Sequence, residues 1–278
     1  TNRPIWDQYV DYLSGVVKLD LGDSIFTSNP VASDLGDRLP ATLFLVATAL
    51  TFSLVVGIAA GAFAARRRNK AGDRSVRATS FFVLSLPDFW LGLLLLYVFF
   101  FRLGWAPPPI GQLGPNDPDV DFISGAAVID AILSGNPAGL KAAVGHAALP
   151  ILTLGIIYAA PIARLTRSAM VESLNADYIQ FGRACGLPSF TLWRYAVRSS
   201  LPPVVTFAGI LFSVLIGGAV LVETVFSWGG AAQYAANAIK QNDFPAIQGF
   251  VLISGIISVV VFLIVDLLYV AIDRRVKL

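Results

Sequence analysis

Five apolar runs, each about as long as a bilayer is thick, dominate the chain: residues 41–64, 76–101, 146–163, 201–222 and 246–271. A transmembrane helix needs roughly 20 consecutive apolar residues. A barrel strand needs only about 10 and alternates apolar with polar. The stretch "LFLVATALTFSLVVGIAAGAFAA" shows no such alternation. Charged residues make up only 14% of the chain, against roughly 25% in a soluble domain. The pattern therefore predicts an all-α integral membrane protein, with none of its five spans needing more than slight tilt. One membrane domain, 41–271, follows an N-terminal segment 1–40 and precedes a short tail, 272–278.

Charge placement orients it, because Lys and Arg in short loops stay on the cytoplasmic side. The loop "RRRNKAGDRSVR" carries six basic residues. The polar insert 164–200 carries Arg164, Arg167, Arg183, Arg194 and Arg198, and the tail carries Arg274, Arg275 and Lys277. These 14 of 20 basic residues fall on one side of an alternating topology, and 12 of 18 acids fall on the other. Residues 1–40 and the loop 102–145 are thus expected outside, and the C-terminus in the cytoplasm. The external Asp excess suits either simple solvation or reception of a cationic ligand end or a receptor protein. The stretch "APPPIGQLGPNDPDVD" reads as irregular.

The insert reads as two short helices with a breaker between them. Met170, Leu174, Tyr178 and Phe181 recur at helical spacing as one apolar stripe. Gly186 suits the left-handed position after a helix, and Pro188 cannot continue one. Ser189 can cap a second helix, with Arg194 and Arg198 toward its end, and "LPP" at 201–203 marks where the next span begins. Such an insert is either a solvated loop that retains arginines inside or a docking surface.

The segment "DYIQFGRACGL" with Pro203 resembles the cytoplasmic loop of binding-protein-dependent ABC importer permeases of the dipeptide and oligopeptide branch. Asp177, Tyr178, Ile179, Arg183, Ala184, Gly186, Leu187 and Pro203 match that pattern, whereas Gly182 replaces an Ala and Cys185 a Lys. The stretches "LGDSIFTSNPVASDLGDRLPATL", "LSLPDFWLGLLL", "VETVFSWGGAAQYAANAIKQNDFPAIQG" and "VDLLYVAIDRR" resemble the family in the same order, with Gly229 in place of a Pro.

The resemblance implies a type I ABC importer transmembrane domain, whose six spans would leave one N-terminal span missing before Thr1. It implies a bacterial-type cell inner membrane and a permease forming half of a translocation pathway for dipeptides or short peptides. Nickel chelates and glutathione are alternative cargoes. It implies a second homologous permease, two ATP-binding subunits and an external peptide-binding protein, with membrane lipid around the chain and no role for nucleic acid. The chain has no phosphate loop of its own, so ATP and Mg are expected on the partner ATPase and no cofactor here. By the same resemblance Asp177, Tyr178, Phe181, Arg183, Ala184, Gly186 and Leu187 form the coupling helix.

Within the spans, Asp88 lies beside Pro87 in "SLPDFW". An intramembrane carboxylate points to a pathway or a pairing role, and Pro87 can kink the helix. Asp88, Phe89 and Trp90 are therefore candidate pathway residues, local bonding of Asp88 at the kink being the alternative. Asp266 is expected to pair with a basic residue or to cap a neighbouring helix. Gly57 and Gly61 form a G-x-x-x-G pair suited to close helix packing. His146, the only His, has no cluster that would make it a metal site. An intramembrane enzyme would need a reactive pair in the spans, and a secondary transporter would favour inverted repeats. Neither is evident.

Overall fold

The computed structural model describes residues 4–18 and 20–272; the basic end of the tail, 273–278, lies outside the described residues. Apart from one isolated bridge between Asp23 and Pro30, the described residues form helices joined by turns and irregular segments. They are α1 (Ile5–Val17), α2 (Val31–Arg66), α3 (Ala71–Leu84), α4 (Asp88–Leu95), α5 (Ala127–Leu133), α6 (Pro137–Asn175), α7 (Asp177–Ala184), α8 (Ser189–Phe226), α9 (Ala231–Gln241) and α10 (Phe244–Ile272). Residues Leu96–Arg102 continue α4 as wider π-helical turns. The helices α2, α6, α8 and α10 are each long and apolar enough to cross a membrane, and α3 with α4 and its continuation makes a fifth crossing if taken as one broken span.

That broken span departs from a single slightly tilted helix over 76–101: α3 and the helix after it are bent by 102°. The cause is Pro87, which has no N–H and drives Leu86 out of helical geometry. The N–H groups of Ser85 and Leu86 fold back onto the carbonyls of Phe82 and Val83, both at 3.1 Å, and close α3. The carbonyl of Pro87 then accepts from Trp90 and Leu91 to start α4. The long helices also overrun the apolar runs; α2 begins ten residues before position 41.

The chain divides into two compact units. The first comprises the residues through Leu45, Leu96–Pro150 and Ile216–Ile257. Its core gathers Leu21, Val31 and Leu35 with Tyr234, Ala238 and Ala246. A polar knot fastens α2 to the end of α8: buried Glu223 accepts from Thr42 Oγ1 at 2.6 Å and from the Gln233 N–H at 2.8 Å. Trp228 Nε1 donates to the Ala41 carbonyl at 3.1 Å. A Cβ on Gly230 would lie 2.5 Å from Glu223 Oε1, so only glycine lets the chain pass there.

The second unit comprises Val46–Leu95, Ile151–Leu215 and the residues from Ser258 on. Here α2 and α6 approach as the G-x-x-x-G pair leads one to expect. A Cβ on Gly57 would lie 2.8 Å from the Ala159 carbonyl oxygen, and one on Gly61 would meet the Ala163 carbonyl oxygen at 2.5 Å. Buried Ser53 Oγ donates to the Gly155 carbonyl at 2.9 Å across the same contact. Ile162, Val204 and Leu211 bring α8 against these helices.

Candidate functional site

All residues matching the insert motif lie in the second unit, where a short helix stands between two long ones. Ala176, extended at φ −68° and ψ 149°, ends α6 and starts α7. The expected stripe of Met170, Leu174, Tyr178 and Phe181 is therefore not one helix face. Met170 belongs to α6 and is fully buried, while Tyr178 and Phe181 on α7 are 46% and 72% exposed. The inward anchor of α7 is Ile179, fully buried with Met170, Ala65, Leu192 and Ala196. Gly182 also faces inward, where a Cβ would lie 2.8 Å from Leu192 Cδ2.

Gly186 does take the left-handed conformation, φ +77°. It lets the N–H of Leu187 return to the Gly182 carbonyl at 3.0 Å, satisfying a carbonyl the helix end would otherwise orphan. Asp177, Tyr178, Phe181, Arg183, Ala184, Gly186 and Leu187 are all exposed. Ile179 and Gly182 are buried beneath them, so α7 is anchored on one side and offers the other as its outer face. Beside it a cavity of about 440 Å³ is lined by Arg66, Arg183, Leu187, Phe190 and Trp193. Arg66 holds its guanidinium 5.9 Å from the Trp193 ring centre.

The second helix of the insert is not separate. Ser189 opens α8, which runs without interruption to Phe226 with Pro202 and Pro203 inside it. Arg194 and Arg198 are thus in the early turns of a long helix and not near the end of a short one. Prolines persist inside membrane helices because neighbouring helices and Ser/Thr side chains re-satisfy the freed backbone groups.

Two residues not singled out from sequence, Asp73 and Tyr158, organise the same unit. Asp73, on α3, has a side chain only 1% exposed and forms a two-pronged pair with Arg167 of α6: Nε to Oδ1 at 2.5 Å and Nη2 to Oδ2 at 2.8 Å. Its Oδ2 also accepts the Asn69 N–H at 2.9 Å. Tyr158 of α6 donates its hydroxyl to Asp88 Oδ2 at 3.2 Å. Asp88 thus reaches across to a second helix at the bend, where local bonding had been the alternative to a pathway contact. Phe89 and Trp90 beside it are 40% and 44% exposed. Asp266 is exposed and makes no ion pair among the described residues. The basic residues of the tail lie outside them.

In the first unit several acids expected to face solvent are turned inward. Ser124 N and Oγ bond Asp130 at 2.7 and 2.5 Å, Ser24 Oγ bonds Asp243 at 2.5 Å, and Thr27 Oγ1 bonds Asp34 at 2.5 Å. Asp117 Oδ2 meets His146 Nε2 at 2.9 Å. The Gly114 N–H and then His146 hold the Asp117 carboxyl below its ordinary range against the opposing effect of burial. Burial raises the Asp243 carboxyl, but bonds from Ser24 and the surrounding backbone outweigh it and leave it lowered. Asp20, Asp23, Asp37, Asp119 and Asp121 remain exposed.

Residues 57–278 match the family described as binding-protein-dependent transport system inner membrane component. The chain is 37% identical, over 99% of its length and 83% of the relative's, to the dipeptide transport system permease protein of Alkalihalophilus pseudofirmus. It is 37% identical to the di/tripeptide transport system permease protein of Pseudomonas aeruginosa, over 99% and 82% of the two chains. It is 38% identical to the probable D,D-dipeptide transport system permease protein of Escherichia coli, over 99% and 81%. With its apolar crossing helices and a match spanning most of its length, the chain belongs to the binding-protein-dependent transport system inner membrane components, the membrane domains of ABC importers.

Proposed function

We propose that the chain is one of two permeases of an ATP-driven importer of dipeptides or short peptides, and that α7 is its coupling helix. The relatives named above are dipeptide and di/tripeptide permeases at 37% identity, which supports the cargo class. The single observation that carries the mechanical reading is the state of α7. It has a fixed core contact through Ile179, breaks at Ala176 and Gly186, and an exposed outer face holding Tyr178, Phe181 and Arg183. A block held this way moves as a body, and its motion passes into α6 and α8. Its outer face would enter a groove on a separate ATPase subunit, where ATP and Mg bind. An external receptor would deliver the peptide, and the basic loops would lie in the cytoplasm.

Asp88, Phe89 and Trp90 are assigned to the cargo pathway because they combine a half-buried carboxylate and two exposed rings at a helix break. The test is vanadate-sensitive ATP hydrolysis by the full complex in lipid. Receptor loaded with short peptides should stimulate it, and Phe181→Glu should abolish stimulation while leaving the permease inserted. Stimulation by nickel-loaded or glutathione-loaded receptor but not by peptide would refute the cargo. Full stimulation of the Phe181→Glu complex would refute the role of α7.

A further inference from the structure

The positive-inside rule asks only that arginines lie on one side; it does not ask them to converge. Four nevertheless do. Arg74 and Arg77 of α3 and Arg164 and Arg167 of α6 line one cavity of about 630 Å³, together with Ala78 and Phe81. On α3 the positions 74, 77, 78 and 81 share one helical face. No carboxylate is among these lining residues, and Asp73 at the start of α3 is committed to Arg167. Arg74, Arg77 and Arg164 are exposed to the cavity and have no ion pair among the described residues. Like charges gathered around one space repel unless an anion offsets them.

The cavity is also graded. Charge occupies the start of α3, and Phe81, 75% exposed, lies two turns further along the same face. Guanidinium forks match phosphate oxygens in geometry, and basic pockets between membrane helices receive anionic headgroups. We propose that this cavity binds an anionic phospholipid of the cytoplasmic leaflet, its phosphodiester among Arg74, Arg77 and Arg164 and its acyl chain against Phe81. A free anion would use the charge but not the ring. The assignment rests on the orientation proposed above and not on the peptide cargo, so it can fail while the transport reading stands.

The test uses the full transport complex in nanodiscs of phosphatidylcholine with added spin-labelled phosphatidylglycerol, scored as bound label against a labelled phosphatidylcholine control. The wild-type complex should prefer the anionic label. The double variant Arg74→Gln/Arg77→Gln should weaken that preference about thirtyfold, and Arg164→Gln, on the other helix, should lower it independently. Arg68→Gln, in the same basic loop but not lining the cavity, should leave it intact. Equal losses in the Arg68→Gln and cavity variants would mean diffuse charge attraction and overturn the site. Displacement of the label by inorganic phosphate alone, or by an acidic dipeptide, would make the occupant a free anion and overturn the lipid assignment.

Discussion

Breaking the Asp73 to Arg167 pair should cost much more than removing it. Asp73 is almost wholly buried, and among the described residues Arg167 is its one cationic partner within hydrogen-bond reach, the Asn69 N–H being the other donor. Arg167→Met leaves a carboxylate in the protein with one backbone N–H. Orphaning a buried charge costs about 3–5 kcal/mol, and the lower end applies because the Arg167 side chain is 21% exposed. Asp73→Asn keeps an acceptor for Asn69 and leaves Arg167 free to turn into the adjoining cavity, so its cost falls at about 1–2 kcal/mol. The double variant contains no orphaned charge, and its cost should match that of Asp73→Asn alone. Additive costs would reach about 4–5 kcal/mol, so the cycle predicts a coupling of roughly 3 kcal/mol. Unfolding of the purified chain by SDS in mixed micelles, followed by tryptophan fluorescence, reads all four corners. Additivity within about 0.5 kcal/mol would show that the two side chains do not depend on each other.

Gly61→Val should drive α2 from α6, because the added carbon meets a backbone carbonyl that no rotamer can move; a loss of about 1–3 kcal/mol is expected in the same assay, and an unchanged midpoint would contradict the close packing. Gly186→Pro removes the N–H that bonds Arg183 and forbids the positive φ, so it should uncouple hydrolysis from uptake without preventing insertion; undiminished uptake would remove the mechanical role of that turn. Asp88→Asn and Tyr158→Phe both weaken the strut at the bend, but only the former should change relative uptake of acidic and basic dipeptides; identical uptake profiles would leave Asp88 a strut alone. Asp117 and Asp243 both carry lowered pKa values. Their stabilisation is complete above the ordinary carboxylate range of roughly 4, and is lost as pH falls through the lowered values. Thermal stability should therefore hold from neutrality to about pH 5 and decline below it, with a shallower decline in Asp117→Asn/Asp243→Asn; a decline starting near neutrality would point to other groups.

The crossing helices were legible because bilayer thickness imposes a length that composition alone reveals. Gly57, Gly61 and Gly186 were legible because their roles depend on lacking a Cβ, at a close contact or at φ +77°. The break at Ala176 was not. No Gly or Pro stands there, and Met170 through Phe181 keeps a helical period across it. What local signal exists is the Asn175 side chain turned back onto the Val171 carbonyl and the acid Asp177 in the next first turn. Pro202 and Pro203 misled in the opposite sense, since a rule learned from water-exposed helices puts a boundary there. The pairs Asp73 with Arg167 and Asp88 with Tyr158 join positions 94 and 70 residues apart. Only the packing of α6 against its neighbours brings them together.

The interruptions decide where a displacement of α7 would be absorbed. At 1.5 Å per residue, α6 and α8 are each almost 60 Å long, about twice the hydrocarbon thickness, and both stay helical through their internal prolines, Pro150 and Pro161 in α6 and Pro202 and Pro203 in α8. Bending either away from those prolines would break backbone hydrogen bonds that lipid cannot replace. At residues 85–87 the hydrogen bonds are redirected by Pro87 and the helix is broken outright, with the Tyr158 hydroxyl bracing Asp88 beside the break. The start of α3, however, is clamped to α6 through Asp73 and Arg167. If α7 is the coupling helix proposed above, a push on it would carry α6 and α3 together, and the change of angle would concentrate at the bend, beside the residues assigned to the cargo pathway. Motor contact and gate would then be linked by one buried ion pair, which is why its loss should impair transport before it impairs insertion.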